Sequence, residues 1–261
     1  DRARYIMLFG DYIGYMLTGA RAIDYSLASR TMFFDVKQKR WATEVTSRFG
    51  IDGAKLSRPV LAGETVGELK PGVAEELGLS PRTVLVTGAH DQVCAAFGAG
   101  VLQPGDCVDG IGTSECITTM LSDDPDGQRM MRSNFCMEPY ATPGRYVTLA
   151  FHPAAGAAVN WYRATIDAER NAQYGKDIYA VMEAECPAEP TSLLFVPHLA
   201  GTGTPYMDPY ARGALLGLNL GTTRGDIYKA CLEGICFEIM VNAERLQDIG
   251  IQALSIHGRT R

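Results

Sequence analysis

The sequence predicts an α/β protein built as two lobes. Short β-branched runs alternate with stretches of helical apolar spacing, the alternation expected of sheets covered by helices. Glycine and proline stand at the junctions between them. After "QPGD", Gln103 to Asp106, the texture changes, which places a lobe boundary near residues 101–104 and divides the chain into 1–103 and 104–261. With 261 residues, 46% hydrophobic and 21% charged, the chain can bury a sizeable globular core.

The opening stretch carries helical spacing at Tyr5, Leu8, Phe9, Tyr12, Ile13 and Met16. That helix is expected to end near "LTGA", where Gly19 supplies a left-handed C-terminal position. Within "ASRTMFFDVKQKRW", Thr31 to Phe34 reads as a strand, "DVKQKR" as a polar turn, and Trp41 as the start of the next helix. That helix stops at "RFGID", and "KPGVAEELGLS" is a short helix punctuated by Pro71 and Gly78. The run Val84 to Thr87 reads as a buried strand, Gly88 breaks it, and helical spacing covers 91–100.

Past the boundary, "GDCVDGIGTSECITTML" alternates as two strands joined at "GIGTS". "RYVTLAF" is a strand, "GAAVNWYRATIDA" a helix, and "TSLLFVPHL" a strand leading into a loop of Gly, Thr and Pro. "GALLGLNL" adds a strand, and Gly225 to Leu246 has the spacing of a long buried helix. The chain opens at Asp1 directly in helical sequence and stops at "SIHGRTR" after an apolar strand-like run. Both ends read as cut from something longer.

A net charge of −6 argues against nucleic-acid or anionic-membrane partners. Seven cysteines, none in a CxxC pair and several in apolar runs, read as reduced, buried thiols of a cytoplasmic protein. The four histidines lack zinc-ligand spacing, so no metal site is expected. No segment has the length and apolarity of a membrane span, and no signal-peptide pattern is present.

Four stretches could carry chemistry, one of them the Gly- and Pro-rich loop in "FVPHLAGTGTPYMDPYARGALLGL", which is either plain connection or a ligand-facing turn. At the junction after Gly88 stand His90, Asp91 and Gln92. Asp91 is either an N-cap or a reactive carboxylate at the C-terminal end of a strand, where α/β folds put ligands. Gln92 offers both donor and acceptor to a polyhydroxylated substrate. His90 reads first as a structural residue. "DGIGTSE", Asp109 to Glu115, is either a tight hairpin turn or a phosphate loop in which Gly112 admits backbone N–H groups and Thr113 and Ser114 add hydroxyls. Its GxGxx start resembles a dinucleotide fingerprint, but Glu115 stands at the third glycine and would oppose a pyrophosphate. In "AAGAAVNW", Gly156 and Asn160 lie four apart on one helix face, although Asn160 also suits plain solvent exposure.

Together these stretches resemble the FGGY family of carbohydrate kinases over nearly the whole chain. "DYIGYMLTG" through "RFGID" is similar to the later part of the family's first lobe, "GAHDQVCAAFGAG" to its catalytic segment, and "DGIGTSE" to its second phosphate loop. "GALLGLNLGTTRGDIYKACLE" follows its C-terminal signature, with Cys231 in place of a small or aliphatic residue. The resemblance implies two actin-like (ribonuclease-H-like) lobes, present in part, with sugar and MgATP meeting in a cleft. It implies Asp91 as the catalytic base, with Gln92 and His90 beside it as sugar contacts. Gly112, Thr113 and Ser114 match the phosphate loop, and Gly156 with Asn160 an ATP-contacting pair that has Gln in some members. Gly258 falls where a glycine-rich adenosine loop is expected, but His257 and Arg259 break the glycine run.

The family's first phosphate loop is absent from the sequence, so these residues alone are expected to lack full activity. The implied activity is ATP-dependent phosphorylation of a ketose, D-xylulose first, with ribulose, deoxy-ketoses, hexonic acids and glycerol as alternative acceptors. ATP and Mg2+ are the implied cofactors, and the resemblance leaves room for a homodimer. A non-catalytic sugar- or nucleotide-binding protein on the same lobes is the competing reading. A nicotinamide dehydrogenase has the imperfect GxGxx stretch alone behind it.

Overall fold

The computed structural model describes residues 3–122 and 125–251, together with the backbone of 255–260. The chain divides into two units: Asp1–Pro104, Met120–Pro125 and Met137–Thr148 form one, and Gly105–Thr119, Asp126–Cys136 and Leu149–Arg261 the other.

In the first unit the order is α1 (Phe9–Thr18), β1 (Ala22–Asp24), α2 (Tyr25–Ser29), β2 (Phe34–Asp35), β3 (Arg40–Trp41) and α3 (Thr43–Arg48). Strands β4 (Arg58–Val60) and β5 (Thr65–Glu68), helix α4 (Pro71–Glu76), strand β6 (Val84–Val86) and helix α5 (Asp91–Gly98) follow. Parallel pairing sets Ile23 of β1 against Pro59 of β4, and antiparallel ladders join β2 to β3 and β5 to β6. Ile23, Ala28 and Phe34 form a small core, closed by Tyr25 and Trp41. Asp24 at the end of β1 caps α2, its carboxylate accepting from the Ser26 and Leu27 N–H groups.

The chain continues through β7 (Asp106–Ile111), β8 (Glu115–Met120), α6 (Gly127–Arg132), β9 (Glu138–Pro139) and β10 (Tyr146–His152). Strand β9 and the first residues of β10 belong to the first unit, where Tyr146 pairs with Pro139. Helices α7 (Ala155–Thr165), α8 (Ala168–Tyr174) and α9 (Ile178–Glu185), strands β11 (Leu194–Val196) and β12 (Ala214–Leu216), helix α10 (Arg224–Asp248) and strand β13 (Ser255–Thr260) complete the second unit. There β7 lies between a parallel β13 and an antiparallel β8, with β10 beyond β8. Helix α10 starts from a reciprocal Thr223–Asp226 capping box and packs Ala230, Cys231 and Ile235 against Phe195 of β11 and Ala155 and Ala158 of α7. A Cβ at Gly234 would stand 2.3 Å from the Phe195 carbonyl oxygen, so glycine is what lets the helix lie on the strand.

Several sequence expectations are corrected. Helix α1 starts at Phe9, leaving Tyr5 and Leu8 before it, and its apolar stripe faces outward: Phe9 is 84% exposed, and Tyr12, Ile13 and Met16 are exposed as well. Its packed face instead holds Gly14 and Asp11, and the buried Asp11 carboxylate accepts from the Ser57 hydroxyl at 2.6 Å. Val84 and Val86 are exposed rather than buried, since among the described residues β6 pairs with β5 alone in a two-stranded ladder. Trp41 closes the β2–β3 hairpin instead of starting a helix. Against the expectation of buried thiols, Cys94 and Cys236 are exposed, while Cys107 and Cys231 are buried. Asp1 and most of the apolar run before Ser255 lie outside the described residues. Gly19 does close α1 in the left-handed region, with φ of 83°. Among the described residues no helix is long and apolar enough to cross a membrane.

Candidate active site

The first unit holds one group of candidates at the start of α5. Asp91 is the first residue of that helix, and His90, not Asp91, occupies the capping position. The N-cap reading of Asp91 is therefore corrected, although its Oδ1 accepts from the neighbouring Gln92 N–H at 2.8 Å. A carboxylate in the first turn of a helix suits the positive end of the helix dipole. The Asp91 side chain is 85% exposed and Oδ1 lies 3.2 Å from His90 Nε2. Gln92 is half-buried next to it.

His90 is held from three directions. Its N–H donates to the Ser26 hydroxyl oxygen at 2.7 Å, and that hydroxyl in turn donates to the Asp24 carboxylate. Its Nδ1 lies 3.0 Å from Glu138 Oε1. Glu138, at the start of β9, is 1% exposed, and its Oε2 has an ion-pair contact with Arg30 at 3.6 Å. The hydrogen bond to Glu138 raises the His90 pKa most, against the opposing effect of burial, and the charges of Glu138 and Asp91 add to the rise. Sequence reasoning missed Glu138, Arg30 and Ser26. Glu138 stands 48 positions from His90, with no spacing to link them. A cavity of about 240 Å³ reaches Asp24, Thr87, Gly88 and Ala89 just before this junction.

The second unit holds the other candidates. Strands β7 and β8 form an antiparallel hairpin with Ile111 opposite Glu115, leaving Gly112, Thr113 and Ser114 as its exposed tip. The Gly112 N–H donates to the Ser114 carbonyl at 2.8 Å and closes the turn. Two N–H groups at the start of α7 then dock on the tip: Gly156 donates to the Gly112 carbonyl at 2.9 Å and Ala157 to the Thr113 carbonyl at 3.0 Å. A Cβ at Gly156 would stand 2.3 Å from the Gly112 oxygen. Glycine here serves a close backbone approach, and the hairpin tip itself caps α7, which has no side-chain cap. Asn160, one turn on, is exposed, and its Oδ1 accepts from the Tyr179 hydroxyl at 3.3 Å. Gly258 lies within strand β13, paired to Asp109, and not in a loop, because β13 extends the sheet alongside β7. The side chains around it lie outside the described residues.

Two acids, Asp109 and Glu115, are buried in the hairpin strands near the tip. Burial raises the Asp109 pKa, and burial followed by the charges of Asp109 and Glu238 pushes Glu115 up to about 8. Glu115 is therefore mostly protonated near neutral pH, and the repulsion of phosphate expected from the sequence is largely absent. An antiparallel hairpin also lacks the strand-to-helix turn of a dinucleotide fingerprint. Glu238, whose charge reaches Glu115, has His198 Nε2 at 2.7 Å from its Oε1, and the His152 ring sits 6.2 Å from that of His198. The fold thus pairs two histidines that are 46 positions apart (198 minus 152). Among the described residues no group of three or more His, Cys, Asp or Glu side chains is placed to hold a metal ion.

Known proteins resemble this chain in sequence and fold. Residues 1–98 match the N-terminal domain of the FGGY family of carbohydrate kinases, and residues 110–258 its C-terminal domain. A xylulose kinase of Bacillus subtilis is 28% identical over 240 residues, covering 92% of this chain and 47% of the relative. A glycerol kinase of Symbiobacterium thermophilum is 34% identical over 250 residues, covering 93% of this chain and 48% of the relative. The crystal structure of a xyloylose kinase from Brucella ovis superposes with a TM-score of 0.85 at 27% identity, covering 98% of this chain and 51% of that one. The chain spans about half the length of the curated relatives it matches. Its α/β fold is the actin-like fold of these kinases. The two domain matches, in order and across more than half of the residues, place the chain in the FGGY family of carbohydrate kinases.

Proposed function

We propose that the protein carrying this chain transfers the γ-phosphate of ATP to a hydroxyl of a ketose, with D-xylulose as the first acceptor. The observation that carries the reading is Asp91: an exposed carboxylate in the first turn of α5, steadied by His90, in a family of carbohydrate kinases. Phosphoryl transfer asks little covalent work of a protein, and positioning and charge stabilisation dominate. The acceptor hydroxyl gives its proton to Asp91 as its oxygen bonds to the γ-phosphorus. The bond from that phosphorus to the β-bridging oxygen breaks, and ADP leaves. Gln92 holds acceptor hydroxyls, while His90, whose two ring nitrogens both face carboxylates, steadies Asp91 beside them. The N–H groups and hydroxyls of Thr113 and Ser114 receive phosphate oxygens at the turn that Gly112 opens, with Mg2+ entering as MgATP.

Gly156 supports the phosphate loop from behind, through its hydrogen bond to Gly112. Asn160 is a weaker nucleotide candidate, because its amide oxygen is already shared with Tyr179. The similarity to the Bacillus xylulose kinase supports D-xylulose. Glycerol is the second reading, favoured by 34% identity to the Symbiobacterium glycerol kinase. The test is ADP release by the intact protein across D-xylulose, ribulose, a deoxy-ketose, a hexonic acid and glycerol. D-Xylulose is expected to give the highest kcat/KM. Preference for glycerol replaces D-xylulose by the second reading, and ADP release with none of them supports a binding protein.

A further inference from the structure

We propose that Glu138 is a positioning residue for Asp91, acting through His90: it fixes the imidazole so that Nε2–H is presented to the Asp91 carboxylate. The proposal rests on the kinase reading for its catalytic consequence, but its physical core stands on geometry in the first unit alone.

Both ring nitrogens of His90 face carboxylate oxygens, Glu138 Oε1 at 3.0 Å and Asp91 Oδ1 at 3.2 Å. The imidazolium hydrogen-bonds Glu138 through Nδ1 and draws the Asp91 carboxylate to its Nε2–H by charge. A neutral ring turns a lone pair toward one carboxylate, and repulsion then falls on the partner that can move. Glu138 has little room to move, being 1% exposed with Arg30 3.6 Å from its Oε2. Asp91, at 85% exposure, can move. The backbone of His90 is pinned to the Ser26 hydroxyl, so the ring has little freedom to escape by shifting the chain. Deprotonation of His90 therefore releases Asp91 from its aligned position.

The ionisable groups around the ring are Glu138, Asp91 and Arg30, with Asp24 acting on Glu138. Glu138 and Asp91 favour the charged ring, and Arg30 opposes it. The aligned form exists below the raised pKa of His90 and is lost as pH rises through it. Turnover is thus expected to decline on the alkaline side with the titration of His90. A role confined to stapling β9 to the start of α5 would change stability without moving that limb.

The test pairs two measurements on the intact protein. Imidazole NMR follows the His90 titration in wild type, Glu138→Gln and Arg30→Gln, and steady-state kinetics follow kcat and KM across pH. In Glu138→Gln the His90 midpoint is expected to fall by about one pH unit. The alkaline limb of kcat should move with it, and kcat near neutral pH should drop roughly tenfold while both KM values stay within about twofold. Glu138→Asp should recover part of the loss. Arg30→Gln, at a half-exposed position, should move midpoint and limb the opposite way, and it keeps the test decisive if Glu138→Gln fails to fold. An unmoved His90 midpoint in a folded variant overturns the proposal whatever the protein catalyses. A moved midpoint with an unmoved kcat profile overturns the positioning role. If no acceptor yields ADP in wild type, the kinase reading and its catalytic consequence fall together, while the NMR shift still reports on the Glu138–His90 coupling.

Discussion

The corner around Asp91 and the hairpin around Gly112 are held by different kinds of bond. At Asp91 the framework is made of side chains: Glu138, His90, Arg30, Ser26 and Asp24 fix one another by charge and hydrogen bonds. At the hairpin it is made of backbone, with carbonyls of Gly112 and Thr113 received by N–H groups of Gly156 and Ala157. Side-chain frameworks are sensitive to protonation, whereas backbone frameworks are sensitive to any added Cβ. The first suits a group that must exchange a proton, and the second suits a rigid cradle for oxygens that do not.

The sharpest way to separate the two regions is Asp91→Asn in the intact protein. Turnover should fall by about 10²–10⁴, the range for removal of a general base. Thermal unfolding should be unchanged, since the side chain is exposed and an amide oxygen can still accept from the Gln92 N–H. Near-normal turnover would show that the base lies elsewhere.

Gly156→Ala should do the reverse, striking stability first. Its Cβ would lie 2.3 Å from the Gly112 oxygen and 3.1 Å from the carbonyl carbon, both backbone atoms. Overpacking against atoms that cannot rotate away, less the gain in helix propensity, gives an expected net loss of about 2 kcal/mol. Denaturant unfolding of wild type and variant measures it. Unchanged stability would mean that α7 does not dock on the hairpin.

Glu115→Gln tests whether the hairpin has any pH sensitivity of its own. In the folded state Glu115 keeps its proton up to about pH 8, whereas the unfolded chain releases it near the ordinary 4.5. The folded state binds the extra proton across that window, so stability declines as pH rises, with a slope approaching about 1.4 kcal/mol per pH unit for one proton. The amide does not titrate, and a thermal unfolding series across the window should show a flatter dependence. An unaltered slope would assign it to other groups, Asp109 first.

Gly112→Val should give the smallest effect. A Cβ there meets the Ser114 carbonyl oxygen at 3.7 Å, an ordinary contact, so the fold should tolerate it. If the tip receives phosphate, calorimetry should show ATP affinity reduced roughly tenfold, about 1.4 kcal/mol, with sugar binding retained. Equal ATP affinity would leave the hairpin as a structural turn.

What could be read beforehand follows a physical divide. The hairpin was legible because its pattern is local: alternation over 106–120 with glycine and hydroxyl residues at the turn appears in the structure as β7, β8 and an exposed tip. The helix ends at Gly19 and Gly78 were legible too, since left-handed backbone favours glycine regardless of tertiary context. The outward stripe of α1 was not, because apolar periodicity says which residues share a face and is silent on what that face meets. There the packed side carries Gly14 and Asp11, whose carboxylate accepts from the Ser57 hydroxyl on a distant segment.

The sequence by itself determined the α/β alternation, the strand-to-helix junction at Asp91 and the glycine turn at Gly112, all governed by neighbours a few residues apart. Tertiary structure alone decided that Gly156 abuts the Gly112 carbonyl, that Glu115 is buried and mostly protonated near neutral pH, and that Glu138 reaches His90 across 48 positions. Each of those depends on desolvation or on contacts between segments far apart in the chain. Neither quantity is encoded in local spacing, so neither exists until the chain has folded.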